Sequence, residues 1–212
     1  MFEISPHLSG ILLSLTAVTL ALMSPGPNIL AVIGTSMEVG RREGVALALG
    51  VASGTFVWVS LTVLGFTAII ASYAKVMFIL KILGGCYVLW LVYKSLRSAA
   101  TKRDIREKAV KLPGGSRAYF ARGLTVQMTN PKAALAMIAI VSIGIHVNAP
   151  WWVGAAIVVG ATGLSVAGHL AYAFAFSTQS VVAIYAKSRR VVEAALGAFF
   201  CAMGIRLLSD RA

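Results

Sequence analysis

Six long apolar segments, joined mostly by short polar connections, make up most of this 212-residue chain. Each is close to or above the roughly 20 residues that an α-helix needs to cross the hydrocarbon core of a bilayer. The predicted helices cover residues 8–33, 44–70, 76–96, 120–146, 151–177 and 190–208. The pattern therefore predicts an all-α membrane protein with six transmembrane helices in a single domain, residues 1–212.

A polar, basic loop over residues 97–119 is the one long connection, and it separates repeat 1, residues 1–96, from repeat 2, residues 120–212. The first helix of each repeat carries a proline break, and the third helices align without gaps as Gly85 to Lys94 against Gly197 to Arg206. Since three helices per repeat is an odd number, the two repeats would be inverted relative to each other. Chance similarity between apolar helices is the alternative.

The break in the first predicted helix lies at Met23-Ser24-Pro25-Gly26-Pro27-Asn28. Two prolines remove two backbone donors, and the glycine between them disfavours a helix, so a continuous helix cannot pass. At membrane depth the freed backbone groups need neighbouring helices, polar side chains or a water-filled cavity as partners. Broken helices of this kind form substrate and ion sites in transporters. The predicted binding residues at this break are Ser24, Pro25, Gly26, Pro27 and Asn28.

The second break lies in the fourth predicted helix, at Met128-Thr129-Asn130-Pro131-Lys132. Pro131 disfavours helical geometry at Asn130, and Lys132 is the most central cation of any predicted helix. A lysine at membrane depth is costly to bury, so it usually has a partner, a wet cavity or a function. Snorkelling to the interface is the alternative, although Lys132 lies about 12 residues from the nearer end of its helix. Asn130, Pro131 and Lys132 are predicted binding residues.

The two breaks and a histidine in the fifth predicted helix lie at similar predicted depths in the membrane. With a rise of about 1.5 Å per residue, Asn28, Asn130 and His169 fall on the cytoplasmic side of their helix centres, with Lys132 close by. These four side chains are therefore predicted to line one cavity. A packing role for His169 is the alternative, because a neutral imidazole needs only one or two partners.

Small residues are frequent in the second and fifth predicted helices. Their spacing of three and four residues, as in Gly50 and Gly54, favours close helix packing. Ser53 and Thr55 lie in the same stretch as candidate hydroxyl contacts, and Ser53 is included among the predicted binding residues.

Composition agrees with a membrane protein: 58% of the residues are hydrophobic and the mean hydropathy is +0.85. Lys and Arg outnumber Asp and Glu by 19 to 7, but these cations lie mainly in loops beside the apolar segments. Contact with anionic lipid headgroups explains them better than nucleic acid, for which no aromatic and basic module is present. The positive-inside rule places the basic loops in the cytoplasm and both termini outside. Without a basic n-region, the first segment is read as a retained span and not as a signal peptide.

Three other function classes are disfavoured. The helix interiors hold no Asp or Glu, whereas a divalent-metal exporter needs hard oxygen ligands there. Cys86 and Cys201 lie in the third helices of opposite repeats and outside both breaks, which argues against a thiol/disulfide carrier. No spacing supports the nucleophile and base of an intramembrane hydrolase. The sequence thus predicts no enzyme, no metal site and no cofactor.

Five motifs carry a family resemblance: Met23-Ser-Pro-Gly-Pro-Asn-Ile-Leu30, Gly40-Arg-Arg-Glu-Gly44, Gly50-Val-Ala-Ser-Gly-Thr55, Leu83-Gly-Gly-Cys-Tyr-Val-Leu-Trp-Leu91 and Thr129-Asn-Pro-Lys-Ala133. They resemble the lysine-exporter (LysE/RhtB-type) family of amino-acid exporters, and the likeness covers essentially the whole chain. The resemblance implies a bacterial inner-membrane exporter of amino acids or close derivatives, driven by the proton gradient, and leaves homodimer formation open.

Members of that family differ in substrate. The absence of a carboxylate from the predicted cavity argues against a dibasic amino acid and favours a neutral one. Its carboxylate would meet Lys132 or a broken-helix N-terminus, and its ammonium group the oxygens of Asn28 and Asn130. For proton antiport the candidate groups are His169 and Lys132. The alternatives are an exporter of another small metabolite and a six-helix redox or metal-handling protein.

Overall fold

The computed structural model describes residues 5–23, 26–72, 93, 112–146, 149–178, 181 and 191. Its helices are α1 (Ser5–Met23), α2 (Pro27–Glu38), α3 (Arg41–Ser72), α4 (Gly115–Met128), α5 (Pro131–Gly144) and α6 (Trp151–Ala175). Ser24, Pro25, residues 97–111 and both cysteines lie outside the described residues. The predicted third and sixth helices, with their aligned stretches, also lie outside them, except for Tyr93 and Val191.

Two of the described helices are long and apolar enough to cross a membrane alone, namely Arg41–Gly65 of α3 and the whole of α6. The other four form two bent pairs, each of which is long and apolar enough if it is one broken span. The helix axes bend by 50° between α1 and α2 and by 62° between α4 and α5. The described residues therefore hold two to four spans, at the positions of predicted helices one, two, four and five.

Two helices extend beyond their predicted apolar parts. The prediction places the start of α3 at residue 44 and the start of α4 at residue 120, but they begin at Arg41 and Gly115. Gly40 and Gly114 adopt positive φ angles of 137° and 104°, which glycine tolerates because it lacks a Cβ atom. The chain turns at these glycines, so each helix begins in the polar flank before its apolar residues.

Large apolar side chains cover the outer faces of the described helices. Leu12 and Leu61 are each 55% exposed, and Leu64 and Val159 are 68% and 72% exposed. Apolar side chains in such numbers on an outer surface are typical of contact with lipid or a partner, as expected of a membrane protein.

Helix α3 lies at the centre of the described bundle and packs mainly against α4 and α6, with further contacts to α2 and α5. One apolar core joins α3 to α1, α5 and α6 through Val18, Val59, Ile140 and Ile157, among others. A second core joins α3 to α2, α4 and α6 and contains Val32, Leu47 and Tyr119. Since both cores include α3, this helix fixes the relative positions of the broken helices.

Glycines bring α3 and α4 into backbone contact. A Cβ atom on Gly50 would overlap the carbonyl oxygen of Phe120, and one on Gly123 would overlap the carbonyl oxygen of Leu47. A Cβ atom on Gly54 would lie 2.7 Å from the Cβ atom of Gln127. The close helix packing predicted for Gly50 and Gly54 is therefore confirmed.

We expect Gly123→Ala to lower the stability of the protein by about 1–3 kcal/mol, because the added methyl group forces α3 and α4 apart. Thermal unfolding in detergent, followed through tryptophan fluorescence, measures the change. Gly163→Ala is the matched control, since a Cβ atom there meets nothing within 4 Å. Equal unfolding temperatures for the two variants would contradict the packing described here.

Candidate functional site

Each break begins a new helix in the same way. Gly26 precedes α2 with extended backbone angles (φ −119°, ψ 176°), and Asn130 precedes α5 with φ −84° and ψ 104°. Pro27 and Pro131 follow at the first helical positions, where a fixed φ suits the helix and no N–H is needed. The side-chain oxygen of Asn130 also caps α5 by accepting the backbone N–H of Lys132 at 3.0 Å. The sequence of each break thus dictates where its second helix starts.

Side chains from α3 and α6 bond the carbonyl groups that the breaks release. In a continuous helix the carbonyl of Gln127 would accept the N–H of residue 131, but Pro131 has none. The indole nitrogen of Trp58 donates to this carbonyl at 3.2 Å, in addition to a longer bond of 3.3 Å from the backbone N–H of Asn130. At the first break, the hydroxyl of Tyr172 donates to the carbonyl of Leu22 at 3.0 Å. Both breaks are therefore held in place by unbroken helices.

A cavity lies between the two breaks and is lined by residues from all six described helices. Its volume is about 50 Å³, enough for a few waters at roughly 10–15 Å³ each. The lining residues are Val18, Ala21, Leu22, Asn28, Ile29, Thr55, Gln127, Asn130, Lys132, Ala133, Ala136, Met137, Ser165 and His169.

A chain of hydrogen bonds crosses the wall of this cavity from α2 to α6. The amide nitrogen of Asn28 donates to Oε1 of Gln127 at 3.0 Å, and the amide nitrogen of Gln127 donates to the hydroxyl of Thr55 at 2.9 Å. The hydroxyl of Ser165 donates to Thr55 at 3.0 Å and lies 3.2 Å from Nδ1 of His169. Except for Asn28 these side chains are buried, so the chain of bonds satisfies most of the polar groups in this wall.

The tautomer of His169 follows from its backbone contact. Nδ1 lies 2.8 Å from the carbonyl oxygen of Ser165, and a carbonyl oxygen can only accept. Nδ1 therefore carries the hydrogen, which leaves Nε2 as a hydrogen-bond acceptor when the ring is neutral. Nε2 is buried and has no partner among the residues that the structure describes.

Lys132 brings a positive charge to the cavity. Its side chain is half-buried and extends towards the first break, so that a Cβ atom on Gly26 would lie 3.6 Å from the ammonium nitrogen. None of the described lining residues carries a carboxylate. A cation, two asparagine side chains and an imidazole acceptor can together bind a small zwitterion, which needs donors at one end and acceptors at the other.

Five of the predicted binding residues come together in the structure. Asn28, Asn130, Lys132 and His169 line the cavity, and Gly26 is buried beside Lys132.

Three of the other predicted binding residues lie in described parts of the chain but do not line the cavity. Pro27 and Pro131 are exposed and set the starts of α2 and α5. The hydroxyl of Ser53 donates to a backbone carbonyl of its own helix at 2.9 Å. Ser24 and Pro25 lie outside the described residues.

Gln127 and Ser165 are the polar residues of the cavity that the sequence analysis did not select. Gln127 is an amide inside an apolar segment, next to the second break, and a polar side chain at membrane depth is itself a signal of function. Ser165 lies one helical turn before His169, a spacing that places the two side chains on the same face.

The family model for the LysE type translocator matches residues 19–211 of this chain. Uncharacterized membrane protein YahN of Escherichia coli (strain K12) is 28% identical over 204 residues, which cover 96% of this chain and 91% of that protein. The threonine efflux protein of Salmonella typhi is 31% identical over 197 residues, 90% of this chain and 93% of that protein.

The leucine efflux protein of Klebsiella pneumoniae is 31% identical over 176 residues, which cover 83% of this chain and 82% of that protein. No solved structure matches the chain. The similarity to the three relatives extends over most of both chains, and the range that the family model matches includes both proline breaks.

We expect Thr55→Val to destabilise the protein by about 1–3 kcal/mol, because the amide of Gln127 and the hydroxyl of Ser165 both lose their buried acceptor. The substitution keeps the shape of the side chain, so the lost hydrogen bonds dominate the result. Thermal unfolding in detergent measures it. Ser53→Ala is the control, since that hydroxyl bonds only to its own helix, and an equal effect of both substitutions would contradict the network.

Proposed function

The chain belongs to the LysE type translocator family, and on this premise we propose that it exports neutral amino acids or close derivatives. It moves them from the bacterial cytoplasm across the inner membrane in exchange for protons. The observation that carries the proposal is the cavity between the two breaks, whose described wall offers a cation and amides but no carboxylate. The names of the threonine and leucine efflux proteins support it, since both amino acids are neutral.

The substrate binds in this cavity, which widens beyond its volume of about 50 Å³ as the transporter opens, and its two charged ends contact different groups. Its carboxylate pairs with the ammonium group of Lys132, assisted by the N-terminal end of α5, where the helix dipole favours negative charge. Its own ammonium group donates to the side-chain oxygens of Asn28 and Asn130. Each of these oxygens accepts one backbone N–H, and a carbonyl oxygen has a second lone pair for the substrate.

Alternating access follows from the broken helices. Both breaks have an extended residue before a proline, and both bend the helix axis, by 50° and 62°. This likeness supports the arrangement of the chain as one transporter domain of six helices in two inverted repeats. Rocking of one repeat against the other about the breaks would open the cavity to each side in turn.

Efflux from proteoliposomes tests the proposal. Liposomes loaded with radiolabelled L-threonine, L-leucine or L-lysine are followed with and without an imposed pH gradient. We expect an inward proton gradient to accelerate efflux of threonine, leucine or both. The same gradient should not accelerate efflux of lysine. If folded protein moves neither threonine nor leucine, with or without the gradient, the proposal is contradicted.

Two substitutions test the site in the same assay. Asn28→Ala and Lys132→Met should each weaken binding by about tenfold or more, the effect of losing a hydrogen bond to a charged group at about 1.5–3 kcal/mol. Lys132→Met keeps the apolar stem, so it isolates the charge. Arg117→Gln is the control, since Arg117 is an exposed cation outside the cavity. Normal transport by both site variants would refute the binding pose.

A further inference from the structure

One imidazole nitrogen in the cavity wall is left without a partner. His169 is 1% exposed, and no group among the described residues bonds to its Nε2 atom. The other unpartnered buried side-chain atoms in the described part of the chain belong to Thr35, Arg122, Trp152 and Thr162, which do not line the cavity. Burying an acceptor unpaired is unfavourable, so an acceptor of this kind in a transport cavity points to a ligand.

The hydrogen on Nδ1 limits what this nitrogen can do. It is held by the carbonyl oxygen of Ser165, 2.8 Å away, so the neutral ring presents a single lone pair at Nε2. That lone pair can accept a hydrogen bond from an ammonium group, or it can bind a proton. It cannot do both at once.

We propose that Nε2 of His169 is the point at which the substrate's ammonium group and the coupling proton exclude one another; this rests on the export function proposed above. When the ring is neutral, the ammonium group donates to Nε2. A proton arriving from outside takes the same lone pair, turns the ring into an imidazolium and releases the ammonium group. The proton leaves Nε2 towards the cytoplasm before the next substrate binds, so one proton is exchanged for one amino acid.

The groups around His169 favour this exclusion. The polar side chains that line the cavity with it come from five helices, whereas α1 contributes only apolar ones. They are Asn28 of α2, Thr55 of α3, Gln127 of α4, Asn130 and Lys132 at the start of α5, and Ser165 of α6. Besides His169, Lys132 is the only charged or titratable side chain among the described lining residues. An imidazolium would add a second cation against the substrate's ammonium group, and repulsion would reinforce the loss of the acceptor.

Equilibrium binding of radiolabelled L-threonine and L-leucine to the purified full chain in detergent, without a gradient, tests the proposal from about pH 5 to about pH 9. The wild-type affinity should fall with acidity by up to about tenfold per pH unit, the slope of competition with one proton. His169→Gln keeps an acceptor but cannot take up a proton, so its affinity should not change with pH. His146→Gln is the matched control, because this exposed histidine lies outside the cavity, and the affinity of this variant should depend on pH as that of the wild type does.

A His169→Gln protein whose affinity still falls with acidity as in the wild type would overturn the inference and leave the export function standing. If the His169→Gln variant does not fold, a measurement on the wild-type protein alone tests the inference. Adding the amino acid at acidic pH should then release a proton, measured with an indicator dye, and binding without release would overturn the inference. A wild-type protein that neither binds nor moves either amino acid would overturn the proposed function and this inference with it.

Discussion

Hydrocarbon offers no hydrogen-bond partners, so the protein itself must bond the backbone groups that breaks in its helices release. In this chain two of the partners come from helices that are not broken. Trp58 of α3 bonds the carbonyl of Gln127, and Tyr172 of α6 bonds the carbonyl of Leu22. The breaks therefore determine not only where α2 and α5 begin but also which helices must pack beside them.

The same constraint extends to side chains. Gln127 is buried at the end of α4, and its amide bonds in both directions, to Asn28 of α2 and to Thr55 of α3. The second bond requires α3 and α4 to lie close together, which the glycines at positions 50, 54 and 123 permit. Close packing of small residues is thus what allows a polar wall to form in an apolar bundle, and that wall leaves Nε2 of His169 without a partner among the described residues.

Much of this arrangement can be predicted from local sequence. Proline chemistry locates both breaks. Hydropathy locates the four apolar segments in which the six described helices lie. Depth along each helix groups Asn28, Asn130, Lys132 and His169. The direction in which a side chain points around its helix is harder to predict. Ser53 and Thr55 are two residues apart, about 200° around the helix at 3.6 residues per turn, and only the packing of α3 decides that Thr55 faces the cavity.

Partners that depend on contacts distant in sequence are harder still. The bond between Asn28 and Gln127 joins residues 99 positions apart, and no local pattern specifies it. The inverted relation between the repeats likewise depends on the predicted third and sixth helices, which lie almost entirely outside the described residues, and it stays a prediction.

The central claim is that the cavity between the breaks holds the amino acid. Its most direct test is substrate protection of a cysteine placed at Ala133, which lines the cavity, in a chain whose Cys86 and Cys201 are replaced by serine. A small thiol reagent should modify this cysteine more slowly when L-threonine or L-leucine is present, and a cysteine at the exposed Arg117 should react at the same rate with or without the amino acid. Unchanged modification at Ala133→Cys, in protein that still transports, would place the substrate elsewhere and contradict the account.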